Sequence, residues 1–322
     1  MPFQLRLNAL TALVLAGAQL TCAWSQAAAV TLIYELEALQ AMRAQPQGHY
    51  ALARSIDASA TAGWNHGAGF APIGRDGAPF TGSFDGRGHA IHRLFIHRPG
   101  EAKVGLFGHA RNATLRNVRL VGGNVTGGEN VGALVGHQEA AGGEARIDRV
   151  CAVVTVTASG TVGGLVGHNE SYRGNSLISR SHAGGAVRAA GSNAGGLVGH
   201  NEAYDGSATI TQAYASGEVA GGDYVGGLVG YNDALRGASA ISDSHASGTV
   251  RARAEVAGGL VGLDTGGRIA HSFYATTDGQ GRAINRFAAS SGTGLRLEQL
   301  LLTPAVAVWH GKGCEAAYMT DR

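Results

Sequence analysis

Four histidines recur along the sequence at steps of 28 to 32 residues, each directly after a glycine. With the two residues that continue the series, they are His109, His137, His168, His200, Tyr231 and Leu263. On neighbouring turns of a repetitive β structure such positions lie about 4.8 Å apart. Imidazoles at that spacing could bind a metal ion or respond to pH. A solvent-facing or turn-packed stack of rings accounts better for the last two members, and we therefore predict neither a metal site nor a cofactor.

A second series is acidic and follows the histidine positions by two residues: Glu139, Glu170, Glu202 and Asp233. Carboxylates at this spacing repel one another, which favours an exposed loop near Arg173 and Arg236. The alternative is a calcium site, because calcium prefers clustered oxygens. Tyr172 and Tyr204 add aromatic rings two residues further on. We predict a sugar- or protein-binding strip formed by Glu139, Glu170, Tyr172, Glu202, Tyr204 and Asp233.

Two more series have a structural interpretation. Between the histidines and the acids lie Gln138, Asn169, Asn201, Asn232 and Asp264. Stacked amides form hydrogen-bonded ladders along a β structure, so we predict a structural role. The other series is Cys151, His182, Tyr214, His245 and Phe273, and we expect its side chains to stack against the fold.

All these series exist because the chain is built from repeats. The motif Ala194-Gly-Gly-Leu-Val-Gly199 has counterparts that close at Gly108, Gly136, Gly167, Gly199, Gly230 and Gly262. Within it lies a leucine series, Leu134, Leu165, Leu197, Leu228 and Leu260. A second hydrophobic series keeps the same period: Leu115, Ile147, Ile178, Ile210, Ile241 and Ile269. The leucine and isoleucine series are the predicted core.

Short β-branched runs bounded by glycine, with no helical period, predict an all-β fold. A repeat of about 31 residues fits one coil of a parallel β-helix, or β-solenoid, with about six coils. A single coil cannot offset a backbone ordering cost of about 1–2 kcal/mol per residue, so the coils must stack. We expect the repeated glycines to take positive φ at corners and to let sheets approach closely.

Both ends of a solenoid expose strand edges that need protection. Leu32, Leu36 and Leu39 follow helical spacing and predict a short amphipathic helix over residues 31–43 that caps the first coil. The run Leu295–Leu301 predicts a similar cap at the other end.

Composition excludes several classes of protein. Glycine contributes 52 of 322 residues and hydrophobic residues 44%, while charged residues contribute only 15%. So much glycine excludes a helical bundle, and without a strict Gly-X-Y period collagen is excluded too. The net charge of +2 and the scattered arginines predict no nucleic-acid partner.

The first residues are typical of a secretory signal, with Arg6, an apolar run over Leu10–Leu20 and small residues at Ser25 and Ala27. The apolar run is too short to span a membrane. Lipidation of Cys22 and a bridge between Cys151 and Cys314 are left open. We divide the chain into a signal peptide (1–27), an N-terminal cap with first coils (28–100), repeats (101–277) and a C-terminal cap and tail (278–322).

The repeat resembles the GLUG motif of secreted bacterial proteins, including filamentous-haemagglutinin-like adhesins and accessory regions of some immunoglobulin A peptidases. The segments that flank the repeats are also similar: Tyr50–Asp57, Phe70–Gly74, Phe80–Ile91, and Thr293–Leu300 with Trp309. The similarity extends over roughly residues 30 to 310. It implies a right-handed parallel β-helix on the outer surface of a bacterium, without catalytic residues.

These observations favour an exported, monomeric, adhesin-like module that binds a cell-surface glycan or protein. Secretion or surface display is expected, and a periplasmic location stays open. We predict no enzyme, because the acids outside the repeats (Asp57, Asp76 and Asp85) suggest turn roles and no His-Glu-x-x-His motif is present. A passive spacer and a polysaccharide-active enzyme are the alternatives.

Overall fold

The chain winds into a right-handed parallel β-helix of about seven turns over its described residues. The computed structural model describes residues 29–191, 193–253, 256–287, 291–307 and 314. Four sheets run along the helix, and we name each by a feature of its strands. The predicted fold class is confirmed.

The isoleucine sheet carries the isoleucine series. Its strands are Val30–Ile33, His49–Leu52, Ser83–Asp85, Thr114–Arg116, Glu144–Asp148, Asn175–Ser179, Ser207–Thr211, Ala238–Ser242 and Arg268–Ala270. The histidine sheet carries the histidine and acidic series. Its strands are Phe107–Arg111, Val135–Ala141, Val166–Tyr172, Val198–Tyr204, Val229–Leu235 and Val261–Thr265.

The split sheet is so named because later coils contribute two short strands each. Its strands are Ile56–Asp57, Ala90–Arg98, Arg119–Gly127, Cys151–Ala158, His182–Ala183, Val187–Ala189, Tyr214–Ala215, Val219–Gly221, His245–Ala246, Val250–Ala252, Phe273–Ala275 and Thr293–Leu295. The glycine sheet contains Val131–Gly132, Val162–Gly163, Asn193–Gly195, Tyr224–Gly226 and Ala257–Gly258.

One coil shows the path of the chain. After Val166–Tyr172 in the histidine sheet, the chain passes through the isoleucine, split and glycine sheets and returns at Val198–Tyr204. Successive histidine-sheet strands pair in parallel and in register, so that Asn169 lies opposite Asn201 and Glu170 opposite Glu202. Each series in the sequence therefore becomes a column of side chains along the rod.

The leucine column and most of the isoleucine column fill the interior. Leu134, Leu165, Leu197, Leu228 and Leu260 are fully buried. Ile269, in the last coil, is only partly buried. The first coils are filled by larger aromatic side chains, since Phe70, Phe80, Phe84 and Phe107 are fully buried.

The repeated glycines owe their identity to close approach between coils. A Cβ atom on Gly167 would lie 2.5 Å from the carbonyl carbon of Asn130, and one on Gly199 would lie 2.7 Å from the carbonyl oxygen of Gly167. Both distances are below the contact limit, so a side chain would force the strands apart. The six repeat-closing glycines are absent from the described residues with positive φ, so the corner interpretation is wrong for them.

The corners with positive φ are occupied mainly by polar residues. The corner after the histidine sheet has Asn112, Gly142, Arg173, Asp205, Arg236 and Gly266 in the left-handed region. The corner after the isoleucine sheet has Asn117, Arg149, Arg180, Gln212, Asp243 and His271. Left-handed backbone disfavours most side chains, but a stack of coils that repeats the same corner can impose it at each turn.

The N-terminal cap differs from the predicted helix. Val30–Ile33 is a strand that pairs in parallel with His49–Leu52, and the helix spans only Leu36–Ala41. A 3-10 turn over Met42–Ala44 follows it. Leu32, which we placed on the buried helical face, is 38% exposed, whereas Leu39 is fully buried. The β-branched run at 30–33 gains more from extending the isoleucine sheet than from a helix.

The remaining short helices lie outside the repeats. The 3-10 turns Ser59–Gly63 and Asn65–Gly67 lie in the first coils. At the C-terminal end, helix Leu297–Leu302 is followed by Pro304–Ala307. Leu300 and Val306 pack there against Ala275, whereas Leu295 belongs to a strand.

No helix in the described parts of the chain is long and apolar enough to cross a membrane. The predicted signal peptide and Cys22 lie outside the described residues.

Candidate functional site

The histidine column forms a continuous stack of rings. It consists of His109, His137, His168, His200 and Tyr231, with centroid separations of 4.9, 4.8, 4.6 and 4.7 Å and interplanar angles of at most 10°. The stack arises because parallel in-register strands place the same position of each coil above the last. Its spacing is therefore that of the strands themselves.

Each of the first three histidines bonds to the carboxylate of the following coil. His109 Nε2 lies 2.8 Å from Glu139, His137 Nε2 lies 2.8 Å from Glu170, and His168 Nε2 lies 3.0 Å from Glu202. Because an ionised carboxylate only accepts hydrogen bonds, the imidazole N–H donates in each pair. Each of these histidines thus bonds to the acidic residue of the next coil, and these bonds join two series that are separate in the sequence.

The acidic column lies on strands, so our prediction of an exposed loop is wrong. Glu170 belongs to strand Val166–Tyr172, Glu202 to Val198–Tyr204, and their side chains are only 24% and 20% exposed. Mutual repulsion is relieved by the imidazole donors between the carboxylates instead of by splaying into solvent. Glu139, the first member of the column, also accepts a hydrogen bond from Arg111 at 2.8 Å.

The ladder of imidazole–carboxylate bonds stops at His200. The next acidic position is Asp233, whose side chain is one methylene shorter and accepts from the Thr265 hydroxyl at 2.7 Å. The Nε2 atom of His200 is buried and has no hydrogen-bond partner among the described residues. The ladder therefore ends at the coil where the acidic series changes from glutamate to aspartate.

Burial controls the charge of this column. It lowers the pKa of His137 and of His200 to about 4, so both imidazoles are neutral at neutral pH. The hydrogen bond from His137 holds the pKa of Glu170 below its usual value, and the bond from His168 does the same for Glu202. The face thus presents neutral rings at His137 and His200 beside the ionised carboxylates of Glu170 and Glu202.

The amide column alternates with the histidines on the same strands, and it is buried from Gln138 to Asn232. Asn169, Asn201 and Asn232 are fully buried. Their side chains form an unbroken ladder, from Gln138 to Asn169 (2.8 Å), Asn201 (2.7 Å), Asn232 (2.8 Å) and Asp264 (2.5 Å). Each amide is both donor and acceptor, so the ladder satisfies polar groups that burial would otherwise penalise.

Two tyrosines mark the outer end of the histidine-sheet strands. The rings of Tyr172 and Tyr204 stack at 5.4 Å, and Tyr172 is 39% exposed. The Arg173 guanidinium lies 5.1 Å from the centroid of Tyr172, and that of Arg236 lies 4.3 Å from Tyr204. We call these four residues the tyrosine–arginine strip. The fourth predicted acid, Asp233, is buried and contributes little to the exposed surface.

A second ring stack runs along the split sheet, and we call it the cysteine column: Cys151, His182, Tyr214, His245 and Phe273. His182 and Tyr214 stack at 3.8 Å, and Tyr214 and His245 at 4.9 Å. Cys151 forms a disulfide with Cys314, with 5.4 Å between the Cα atoms. The pairing that the sequence left open is therefore present.

Three groups of metal-ligating side chains occur in the described part of the chain: Cys151–His182–Cys314, His137–His168–Glu170, and His168–His200–Glu202. In the first group the sulfurs are committed to the disulfide. Sequence reasoning missed the other two because it treated histidines and acids separately. The two-residue offset on one strand face was the available signal, since residues i and i+2 lie on the same face.

These features define a parallel β-helix whose turns carry one repeated motif. The chain is a GLUG-motif repeat protein: the family described as "The GLUG motif" matches residues 190–220 and 221–251. It is also similar to Halomucin from Haloquadratum walsbyi, with 44% identity over 108 residues. That segment covers 32% of this chain but only 1% of Halomucin.

Two solved structures share the fold. One is described as a "putative immunoglobulin A1 protease" from Bacteroides ovatus, with a TM-score of 0.64, 19% identity, and coverage of 86% of this chain and 87% of the other. The second, "IgA1 Protease", has a TM-score of 0.52 and 19% identity over 82% of this chain and 21% of the other. At such identity the likeness shows the fold alone.

These structures correct one prediction. We expected no enzyme, partly because the GLUG resemblance implies no catalytic residues. That prediction is wrong, since two proteins that share the fold are described as proteases and the fold therefore does not exclude an enzyme. Fold likeness alone assigns neither substrate nor catalytic residues to this chain.

Proposed function

We propose that the protein is an exported, adhesin-like module that binds a cell-surface glycan through the outer end of its histidine sheet. The observation that carries the proposal is the tyrosine–arginine strip, which repeats phenol and guanidinium groups from coil to coil. The partly exposed carboxylates of Glu170 and Glu202 lie on the same strands.

The chemistry of the strip favours a polymer with repeating polar groups. Tyrosine and arginine both bury apolar surface while keeping hydrogen-bonding groups at their tips, and both are enriched in binding hot spots. The strip offers a phenol and a guanidinium on each of two successive coils, so two sets of weak contacts add along a repetitive ligand. A polysaccharide has that repetition, whereas a folded protein surface does not.

Location is part of the same proposal. A GLUG repeat region and the similarity to Halomucin support a place outside the cytoplasm, as does the signal-like start of the sequence. Treating intact cells with an external protease should degrade the protein if it is displayed on the surface. Recovery in the culture medium would indicate secretion, and full protection in intact cells would contradict both.

A glycan array probed with the purified protein tests the binding. Tyr172→Ala combined with Tyr204→Ala should weaken the hits at least about tenfold, the equivalent of about 1.4 kcal/mol. The matched control is Glu218→Ala with Arg251→Ala, an exposed ion pair on the split sheet, and it should leave binding unchanged. A blank array would overturn glycan binding and favour a passive spacer. Hits that survive the tyrosine variant would place the site elsewhere.

A further inference from the structure

His200 carries a nitrogen that the fold leaves without a partner. Its Nε2 atom is buried and accepts or donates no hydrogen bond among the described residues, and the next acidic residue, Asp233, accepts instead from the Thr265 hydroxyl. Leaving a buried polar atom unsatisfied costs about 1–3 kcal/mol. Such an atom on a repeated column suggests a ligand that would use it.

The neighbouring donors are already close to this atom. The metal-ligating atoms of His168, His200 and Glu202 all lie within 4.8 Å of one another. Glu202 is two residues beyond His200 on the same strand, and its carboxylate already reaches His168 in the preceding coil. We propose that His168, His200 and Glu202 form a binding site for a divalent transition-metal ion of the zinc type.

The geometry requires both imidazoles to rotate out of their parallel stack, because ring planes only 4° apart aim their nitrogen lone pairs in the same direction. Two bonds of about 2.0–2.1 Å from zinc to nitrogen span at most about 4.2 Å, so the stacked imidazoles must tilt toward each other. The two rings are 4.6 Å apart, which makes them the closest pair of stacked histidines in the column. His168 gives up its hydrogen bond to Glu202 and holds its proton on Nδ1, so that Nε2 is free to bind the metal.

The overlapping group of His137, His168 and Glu170 is the weaker candidate. There the Nδ1 atom of His137 is also buried without a partner among the described residues, but His137 Nε2 is engaged with Glu170 at 2.8 Å and His168 Nε2 with Glu202 at 3.0 Å. A metal held by these two Nε2 atoms would displace two hydrogen bonds. At the proposed site it displaces one and gives His200 its missing partner. Because the groups share His168, we expect one ion per chain.

The donor set selects the class of metal. Two imidazoles and one carboxylate are the ligands that zinc, cobalt, nickel and copper accept, with a water molecule completing the coordination. Calcium and magnesium are disfavoured because they prefer oxygen ligands throughout. The calcium alternative raised by the acidic series is weakened further, since the carboxylates lie between imidazoles rather than against one another.

Cobalt binding tests the proposal directly. The full chain, prepared without a polyhistidine tag and stripped with a chelator, is titrated with Co²⁺ and followed by visible absorption and equilibrium dialysis. We expect one bound equivalent with the d–d bands of a low-coordinate site, displaced by Zn²⁺. Glu202→Gln and His200→Gln should each weaken binding at least about 100-fold, since even the loss of an outer-shell partner costs roughly 10- to 100-fold.

The matched control is His109→Gln on the same column, two coils from the site, which should keep the full affinity. Far-UV circular dichroism shows whether each variant remains folded. If His200→Gln unfolds, Glu202→Gln carries the test, since it keeps an oxygen and an amide in place of the carboxylate. Absence of saturable Co²⁺ binding to the wild type, or equal binding by the wild type and Glu202→Gln, would overturn the proposal.

Discussion

The histidine column and the cysteine column are built by the same rule and differ in their neighbours. Both are stacks of rings spaced by parallel strands, with centroid separations from 3.8 to 4.9 Å. In the histidine column the residue two positions on is acidic, and each of the first three imidazoles has a carboxylate partner. In the cysteine column that position is uncharged, as at Ser216, whose hydroxyl lies 3.0 Å from His182 Nε2.

The two columns also differ in how they are covered. Alternate residues of the split sheet, such as Ala183 and Ala215, belong to the core, so the rings of the cysteine column point away from it. His182, Tyr214 and His245 are nevertheless buried, whereas Phe273 is only partly buried, and the disulfide joins Cys314 to the column at Cys151. Stacking therefore makes a column regular, while the flanking side chains decide whether it is a polar face or a covered column to which Cys314 is bonded.

The largest effect should come from removing the disulfide between Cys151 and Cys314. Cys314→Ser removes a crosslink between residues 163 positions apart and should lower the free energy of unfolding by about 2–4 kcal/mol. Denaturant unfolding followed by far-UV circular dichroism measures the change. Cys151→Ser should give the same loss, and so should the wild type under reducing conditions. An unchanged midpoint in all three would show that the disulfide does not stabilise the rod.

The second effect is the loss of stability of the histidine column as pH falls. The pKa of His137 falls from about 6.5 to about 4 on burial, so the unfolded chain binds more protons between those values. The stability present above pH 6.5 is therefore lost as pH falls toward 4, at up to about 1.4 kcal/mol per pH unit for this group. Below that window, protonation of Glu170 and Glu202, whose pKa values are also lowered, adds to the loss.

His137→Gln tests the assignment, because glutamine can still donate to Glu170 but does not titrate. Unfolding is measured from pH 7.5 to pH 4 in the presence of a chelator, so that metal binding does not contribute. The variant should show a shallower loss of stability than the wild type. His271→Gln, at an exposed position, is the control and should keep the wild-type slope. Identical slopes for all three proteins would locate the acid sensitivity elsewhere.

The sequence was sufficient for the columns because the repeat period determines which residues stack. Leu197 and Ile210 are buried, and Asn169, Asn201 and Asn232 form the expected kind of ladder. Any period that keeps two independent hydrophobic series in phase forces in-register strands. The residues that stack on successive coils are then found by adding the repeat length to a residue number.

The sequence was not sufficient for contacts that cross between coils or depend on the backbone. The bond from His168 to Glu202 needs the stagger of one coil, which counting within a repeat does not reveal. We expected the repeated glycines to take positive φ at the corners, but at one corner Arg173 takes it. Leu32 fits helical spacing, yet pairing with the next strand outweighs that pattern. In each case tertiary pairing overrides a local preference.

The smallest effect concerns the position where the acidic ladder ends. Asp233→Glu restores the missing methylene, and its carboxylate can reach His200 Nε2 as Glu202 reaches His168. One new hydrogen bond to a charged group, less the bond from Thr265, should stabilise the fold by about 0.5–1 kcal/mol. Urea unfolding in the presence of a chelator measures the gain. Asp233→Asn keeps the length but removes the charge and should not be stabilising. If Asp233→Glu were no more stable than the wild type, side-chain reach would not be the reason that the ladder stops. The backbone of that coil would then have to hold the carboxylate away from His200.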